Sequence, residues 1–149
     1  MRLSIIILAV VSILGCGQKE KAGPAKIEVP AEWFTYYTPL QEALAADDFE
    51  TARAAVKALL EHSAGEVANL VKPATEAADI ASLRTAFKPF SEALKELSLP
   101  EGLVVAYCPM AFNDTGAHWV QKDGTLMNPY FGAEMLHCGM FKRGKKDGQ

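Results

Sequence analysis

The strongest folding signal in this sequence is a run of apolar residues spaced alternately by three and four positions. The run consists of Ile80, Leu83, Phe87, Phe90, Leu94 and Leu97. This spacing places the side chains on one face of a helix, which is the pattern that antiparallel helix packing requires. The run therefore predicts a helix that begins near Asp79. A kink or a break is expected at Pro89, because proline cannot donate the helical hydrogen bond.

Two further helices are predicted before this run. The first has apolar residues at helical spacing, namely Trp33, Tyr37, Leu40 and Leu44. It is expected over about residues 32–46. Asp47 and Glu50 have the spacing of a capping box, which predicts the start of a second helix that ends near Pro73. Because the connections are short, the three helices are expected to form an up-down-up bundle.

The pattern changes after Gly102. Residues 103–107 are apolar and β-branched, which predicts a strand. Residues 117–121 and 125–127 flank a turn signal and predict a small hairpin. A short final helix is expected over residues 133–137. The predicted fold class is therefore mainly α: a three-helix bundle with a small C-terminal cap made of the hairpin and the short helix.

The N-terminus indicates export to the bacterial cell envelope. Residues 1–15 combine a basic start with an apolar run that is too short to span a bilayer, which is typical of a signal peptide. The end of this run, Ile13-Leu14-Gly15-Cys16, resembles the cleavage box of bacterial lipoproteins. The resemblance implies cleavage before Cys16 and a lipid on its sulfur. Gly17, where inner-membrane retention usually has aspartate, favours the outer membrane with the domain facing the periplasm.

The rest of the chain divides into three parts. Residues 16–31 begin with Cys16 and are otherwise mostly polar with proline and glycine, which predicts a flexible tether. Residues 32–141 form the predicted folded domain, and residues 142–149 form a short basic tail. The formal net charge of −3 at pH 7 gives no support for a nucleic-acid partner. The expected contacts are the membrane, through the lipid, and soluble partners that the tether allows the domain to reach.

Sulfur-containing residues and histidines are concentrated near the C-terminus. Cysteine, methionine and histidine are the side chains that bind soft metals, Cu(I) above all. Cys108 and Met110 lie two positions apart on an extended segment, and Met135 and Cys138 lie three apart on the predicted helix. Each pair therefore shares a face, and together they predict a four-sulfur metal site. The possible additional ligands are His118, His137 and Met140.

Two other interpretations of these residues stay open. Once Cys16 is lipidated, two cysteines remain, and an oxidising compartment allows a Cys108–Cys138 disulfide or a pair that alternates between thiols and disulfide. An enzyme would need Cys108 as nucleophile, with His118 or His137 as its base. No flanking pattern of a known cysteine hydrolase is present, so the chain is predicted not to be an enzyme.

Several motifs together resemble the bacterial domain family of unknown function numbered 3347. They are Tyr107-Cys108-Pro109-Met110-Ala111-Phe112, Gly116-Ala117 with Trp119, Asn128-Pro129-Tyr130-Phe131-Gly132, and Met135-Leu136 with Cys138-Gly139. The resemblance covers roughly residues 32–141. It implies a helical domain found in periplasmic lipoproteins and fused to heavy-metal efflux adaptor subunits, with no established reaction.

The expected function combines this resemblance with the sulfur residues. The family positions carried over to this sequence are Cys108, Met110, Met135 and Cys138. The protein is expected to bind copper, as Cu(I), or another soft metal, for sequestration or for delivery to a periplasmic efflux adaptor. The alternative is a structural or interaction domain that binds no metal and is stapled by the disulfide.

Overall fold

The computed structural model describes residues 27–142. The predicted signal peptide, Cys16, most of the tether and the tail beyond Lys142 lie outside this range. Within residues 27–142, no helix has both the length and the apolar character needed to cross a membrane.

Helices occupy the first part of the domain and strands the second. The helices are α1 (Phe34–Ala45), α2 (Phe49–Glu61), α3 (Gly65–Val71) and α4 (Ile80–Leu94), with 3₁₀ turns at Ala31–Trp33 and Lys72–Glu76. They are followed by β1 (Leu103–Cys108), the short α5 (Ala111–Asp114), β2 (Ala117–Lys122) and β3 (Met140–Phe141). Residues 123–139 connect β2 to β3 and are called the return loop. The loop contains a 3₁₀ turn at Gly132–Glu134.

The first and the third predicted helices are confirmed as α1 and α4. The carboxylate of Asp79 accepts a hydrogen bond from the backbone N–H of Ser82 at 2.7 Å, and the Ser82 hydroxyl accepts one from the Asp79 N–H at 3.1 Å. This capping box fixes the start of α4. The helix continues through Pro89 without a break. Phe87 and Phe90 on either side are fully buried, and their packing offsets the missing hydrogen bond.

The second predicted helix differs from the prediction at both ends. Asp48 caps α2, because its carboxylate accepts the Thr51 N–H at 3.0 Å. Asp47 has a positive φ of 58° and does not cap the helix. α2 ends at Glu61, and α3 begins separately at Gly65, whose φ is 54°. Glycine adopts this left-handed conformation without steric cost, which allows the chain to break here.

The three strands form an antiparallel sheet in the order β2-β1-β3. The strand predicted after Gly102 is therefore confirmed, but the predicted hairpin is wrong, because β2 pairs with β1. The segment after β2 cannot pair with it, since the Gln121 side chain occupies its backbone groups. The Gln121 amide donates to the Thr125 carbonyl at 2.9 Å and accepts the Met127 N–H at 3.0 Å.

The predicted fold class, a mainly α three-helix bundle with a small cap, is also wrong. Within residues 27–142, five helices accompany a three-stranded antiparallel sheet, so the domain is mixed α/β. The physical reason is that α1 and α4 both pack against β2, which makes the sheet part of the main core. The predicted final helix is reduced to the 3₁₀ turn Gly132–Glu134, because the backbone leaves the helical conformation at Met135, with φ −143° and ψ 54°.

Side chains from the helices and the return loop close the outer edge of β2. The Tyr37 hydroxyl accepts the Val120 N–H at 3.2 Å, and the Glu92 carboxylate accepts the His118 N–H at 2.7 Å. The Tyr130 hydroxyl donates to the His118 carbonyl. These bonds satisfy backbone groups that an exposed edge strand would offer to other chains.

Aromatic packing makes one core of the helices and the sheet. Tyr37 stacks on Phe87 with ring centroids 5.7 Å apart. Tyr130, from the return loop, contacts both Phe87 at 5.7 Å and Trp119 at 5.8 Å. The return loop is therefore held against the same core as α4, although most of it has no regular secondary structure.

Candidate metal centre

Cys108 provides the first sulfur and is the last residue of β1. It lies opposite Ala117 in the strand register. Because side chains alternate along a strand, Cys108 shares a sheet face with Trp119, and both are fully buried. The strand pairing thus fixes the position of this thiol and shields it from solvent.

Cys138 provides the second sulfur and lies at the end of the return loop. The residue after it, Gly139, has a φ of 137°, and a Cβ built there would lie 2.7 Å from the Tyr107 carbonyl oxygen. A side chain at this position would therefore collide with the backbone of β1. The glycine allows the chain to approach β1 closely enough for Cys138 to reach Cys108.

Asn128 connects the beginning and the end of the return loop. Its side-chain nitrogen donates to the Cys138 carbonyl at 2.7 Å, and its side-chain oxygen accepts the N–H groups of Tyr130 at 2.8 Å and Phe131 at 3.3 Å. Asn128 is fully buried. Both ends of its amide are occupied, which is the normal requirement for a buried polar group.

Three sulfur atoms meet where these segments converge. The Cys108 and Cys138 Sγ atoms are 3.1 Å apart, and the Cys138 Sγ lies 3.7 Å from the Met110 Sδ. Both cysteines are free thiols. Cys138 is half-buried, whereas Met110 is 47% exposed. The site, defined here as the sulfur cluster of Cys108, Met110 and Cys138, therefore extends from the core to the surface.

The thiol of Cys138 is stabilised in its protonated form. The hydrogen bond with Cys108, followed by burial, raises the pKa of Cys138 to about 11. At neutral pH this residue is a thiol, and it must lose its proton to become a thiolate ligand. A bound cation supplies the positive charge that favours this deprotonation.

Met135 does not join the sulfur cluster. It follows the 3₁₀ turn and has φ −143° and ψ 54°, so it and Cys138 do not share the face of a helix. Its backbone carbonyl accepts the Cys138 N–H at 2.9 Å, while neither cysteine makes a sulfur hydrogen bond to its thioether. The structure therefore brings together three of the four predicted sulfurs.

His118 lies on the opposite sheet face from Cys108, because it pairs with Tyr107 and not with the cysteine. Its ring Nδ1 lies 3.1 Å from both carboxylate oxygens of Glu92. Burial lowers the pKa of His118, although the carboxylate opposes this effect. Burial alone would raise the pKa of Glu92, but hydrogen bonds from His118 and Lys95 outweigh it and leave the pKa lowered. Glu92 thus binds both the backbone N–H and the ring of His118, and this pair lies at the outer edge of β2.

The other two residues predicted as additional ligands also lie apart from the cluster. His137 is exposed, and its Nδ1–H donates to the Leu126 carbonyl at 2.7 Å. Met140 lies in β3 opposite Tyr107 and is 57% exposed. It therefore shares the face of His118 and not that of Cys108.

The connection between β1 and β2 contains an unusual turn. Phe112, Asn113 and Asp114 have φ values of 54°, 54° and 63°. Residues with a Cβ rarely adopt left-handed conformations in succession, so surrounding contacts must hold the turn. Lys88 of α4 provides one, with its Nζ 4.5 Å from the Phe112 ring centroid. This contact ties α4 to the segment that carries the exposed thioether.

The donor set of the site is small and soft. Within residues 27–142, no group of three or more His, Cys, Asp or Glu side chains is arranged to hold a metal ion. The sulfur cluster has two cysteines and one thioether. This set does not match the four-ligand sites of structural zinc, but low coordination by soft sulfur is what Cu(I) accepts.

Two residues that support the sulfur cluster were not predicted as functional from the sequence. Asn128 and Gly139 hold the Cys138 segment in place, but neither is a metal ligand. A signal for Asn128 is present in the sequence, since asparagine before proline and an aromatic residue is typical of a turn closed by the asparagine side chain. Nothing in the local sequence shows that the same amide reaches the carbonyl of Cys138.

Comparison with known proteins found no match for this chain. No protein-family model matches it, and no curated protein or solved structure is significantly similar to it. The resemblance to a family found with heavy-metal efflux therefore stays an interpretation of the motifs.

Proposed function

We propose that this protein is a lipid-anchored protein of the bacterial cell envelope that binds Cu(I) or a related soft metal. The sulfurs of Cys108, Cys138 and Met110 would be its ligands. Its role would be to sequester the metal in the periplasm or to deliver it to a heavy-metal efflux adaptor. It is not proposed to catalyse a reaction.

The observation that carries this proposal is the convergence of three sulfurs from two segments that are distant in the sequence. Cys108 and Cys138 are thirty positions apart in sequence, yet their Sγ atoms are 3.1 Å apart, with the Met110 thioether beside them. Cys108 does not need a methionine beside it to be shielded from water, and Met110 is itself 47% exposed. An exposed thioether next to two thiols is suited to receive a soft ion and pass it inward.

The spacing of the sulfurs fits a metal after a small adjustment. Two sulfurs each about 2.3 Å from one ion lie roughly 3.5–4 Å apart. The Cys108–Cys138 separation of 3.1 Å is shorter than this, so the return loop must move outward by less than about 1 Å. The 3.7 Å between Cys138 and Met110 already lies in this range.

The same contact supports a second candidate function. A disulfide requires a sulfur separation of about 2.05 Å, so the two thiols need to approach by about 1 Å to form one. The periplasm is oxidising, and a bridge there would staple β1 to the return loop. In that state the protein would be a structural or interaction domain without a metal.

A competition titration with a Cu(I) chelator distinguishes the two candidates. We expect the reduced, mature protein to bind about one Cu(I), and binding to raise its melting temperature by mass action. Cys108→Ser and Cys138→Ser should each abolish most of the affinity, because each removes a thiolate. Met110→Leu should weaken it less, since it removes a neutral ligand and nearly preserves side-chain volume.

Met135→Leu is the matched control for Met110→Leu. It makes the same chemical change at a thioether that the structure places outside the cluster, so its affinity should stay near that of the wild type. A reduced wild type that competes no better than the double cysteine variant would remove the metal proposal. Loss of both free thiols in protein isolated from cells would then favour the disulfide.

Lipid anchoring is tested separately. The wild-type protein should be found in the membrane fraction after cell lysis, because Cys16 carries the lipid. Cys16→Ala should release the protein or leave it as the longer, unprocessed precursor. Unchanged fractionation and unchanged electrophoretic mobility in this variant would contradict the lipoprotein interpretation.

A further inference from the structure

We infer that Asn128 and Gly139 are positioning residues that hold the Cys138 thiol against Cys108 and so preform the sulfur cluster. The inference concerns the site of the proposed function, and its metal consequence rests on that function. Neither residue supplies a metal ligand. Both act on the backbone next to the Cys138 side chain.

Asn128 acts on the backbone of Cys138 itself. Its buried amide donates to the Cys138 carbonyl at 2.7 Å, and its own N–H donates to the Leu136 carbonyl at 2.7 Å. A single residue thus binds two carbonyl groups of the segment that delivers the thiol. Since Asn128 is fully buried, losing a partner leaves a polar group that water cannot replace.

The Asn128 amide is itself held in one orientation. Its oxygen accepts the N–H groups of Tyr130 and Phe131, so the nitrogen must point toward Cys138. Tyr130 in turn packs between Phe87 and Trp119 in the core. The buried side chain of Asn128 therefore fixes the position of Cys138 relative to α4 and to the sheet.

Gly139 acts through its close contact with β1. Its position is so close to β1 that a Cβ would lie 2.7 Å from the Tyr107 carbonyl oxygen and 3.1 Å from the Trp119 ring. Tyr107 immediately precedes Cys108, so displacing Gly139 from β1 also displaces Cys138 from Cys108. Asn128 pulls the segment inward, and the missing side chain of Gly139 leaves room for it.

This arrangement has a measurable consequence that needs no metal. The effective concentration of one thiol toward the other is set by how well the fold holds them together. It is measured by equilibrating the mature, reduced protein with glutathione. One protein dithiol and one glutathione disulfide give one protein disulfide and two glutathione thiols, so protons and electrons balance.

The first pair of variants tests Asn128. Asn128→Asp keeps the acceptor oxygen but replaces the donor to Cys138 with a second oxygen, and we expect the effective concentration to fall at least tenfold. Gln121→Glu is the control. It makes the same change at another fully buried amide, which holds Thr125 and Met127 at the start of the return loop and not Cys138. Its effect should stay within threefold.

The second pair tests Gly139 and keeps the inference decidable if Asn128→Asp does not fold. Gly139→Ala should also lower the effective concentration at least tenfold, because the new methyl group meets the backbone of β1. Gly124→Ala is the control, since its φ of 139° nearly equals the 137° of Gly139 and nothing lies within 4 Å of its Cβ. It carries the same backbone strain without the collision.

Folding of each variant is checked by circular dichroism and thermal melting. Folded Asn128→Asp or Gly139→Ala with an unchanged effective concentration would overturn the inference. A fall in both, with controls unchanged, supports it. Cu(I) affinity is then measured on the same variants and should fall in parallel. A wild type that binds no Cu(I) would remove the proposed function, while the effect on the thiols would leave the positioning inference standing.

Discussion

The two halves of this domain are stabilised in different ways. In the helical half, residues 27–99, many polar contacts join residues close in sequence, such as the Asp79–Ser82 capping box. In the sheet half, residues 100–142, several polar contacts reach much farther, and the Gln41 amide on α1 donates to the Met127 carbonyl at 2.7 Å. The first half depends on local signals, whereas the second depends on the first for its shape.

The border between the halves shows this dependence. Arg84 on α4 donates to the Pro129 carbonyl at 2.8 Å and to the Leu44 carbonyl at 2.7 Å, and it pairs with Asp47 at 2.6 Å. The other oxygen of Asp47 accepts the Ala133 N–H at 2.8 Å. The helical half therefore presents fixed donors and acceptors to the return loop, which has few regular hydrogen bonds of its own.

The largest effect is expected from the core that both halves share. Phe87→Ala should reduce the free energy of unfolding by about 3–5 kcal/mol, because the ring is fully buried against Tyr37, Phe90 and Tyr130. Chemical denaturation measures the loss. Phe141→Ala is the control, since this ring in β3 is 38% exposed and should lose less than about 1 kcal/mol. Equal losses would mean that the core is not centred on α4.

A smaller effect is expected where a helix side chain closes the edge of β2. Tyr37→Phe should lower the free energy of unfolding by about 1–3 kcal/mol, because the Val120 N–H loses its partner in a buried position. Tyr36→Phe is the matched control, since it removes a hydroxyl from the neighbouring position of the same helix. Denaturation curves that coincide for the two variants would contradict the role given to Tyr37.

The smallest effect concerns pH. The Ala133 N–H and then the Arg84 guanidinium lower the pKa of Asp47 below its ordinary 3.8. A carboxylate whose pKa is lower in the folded protein than in the unfolded chain stabilises the fold at pH values above its unfolded pKa. This stabilisation is lost as the pH falls through the folded pKa. Melting temperature should therefore decline below about pH 4. The decline should be shallower in Asp47→Asn, and modest overall, because the Asp47 side chain is 40% exposed and screened by solvent.

Asp48→Asn is the control for the contact that Asp47 makes between the two halves. Its carboxylate pKa is also lowered, but by Thr51 within the same helix turn and not by the return loop. If the Asp47 contact joins the halves, only Asp47→Asn should also increase hydrogen exchange at Ala133. Identical exchange in the two variants would show that the return loop does not depend on this bond.

The success of sequence reasoning followed the range of the interactions. The run from Ile80 to Leu97 predicted α4, because helical spacing and capping act within a few residues. The predicted hairpin after β2 failed for a different reason, because a side chain and not the backbone of β2 makes the deciding hydrogen bonds, only four to six positions away. The turn signal after Lys122 is real, but Gln121 occupies the backbone of the segment that was expected to pair with β2.

The candidate site divides in the same way. Residue types alone selected Cys108, Met110 and Cys138, since soft ligands are few and these are concentrated near the C-terminus. The sequence pattern also points to Met135, because it predicts a helix over residues 133–137, whereas the structure forms only a 3₁₀ turn there. The positioning role of Asn128 was invisible, because a hydrogen bond to a carbonyl ten positions away leaves no local pattern.

The sequence alone predicts α1, α4, the strand that begins at Leu103 and the chemical softness of the candidate ligands. These properties follow from side-chain chemistry and from contacts within one or two turns. Long-range packing sets the pairing of β1 with both β2 and β3, and it brings Cys138 to Cys108 while the Met135 thioether stays outside the sulfur cluster. Those outcomes depend on the aromatic core and on buried amides, which act only after distant segments have come together.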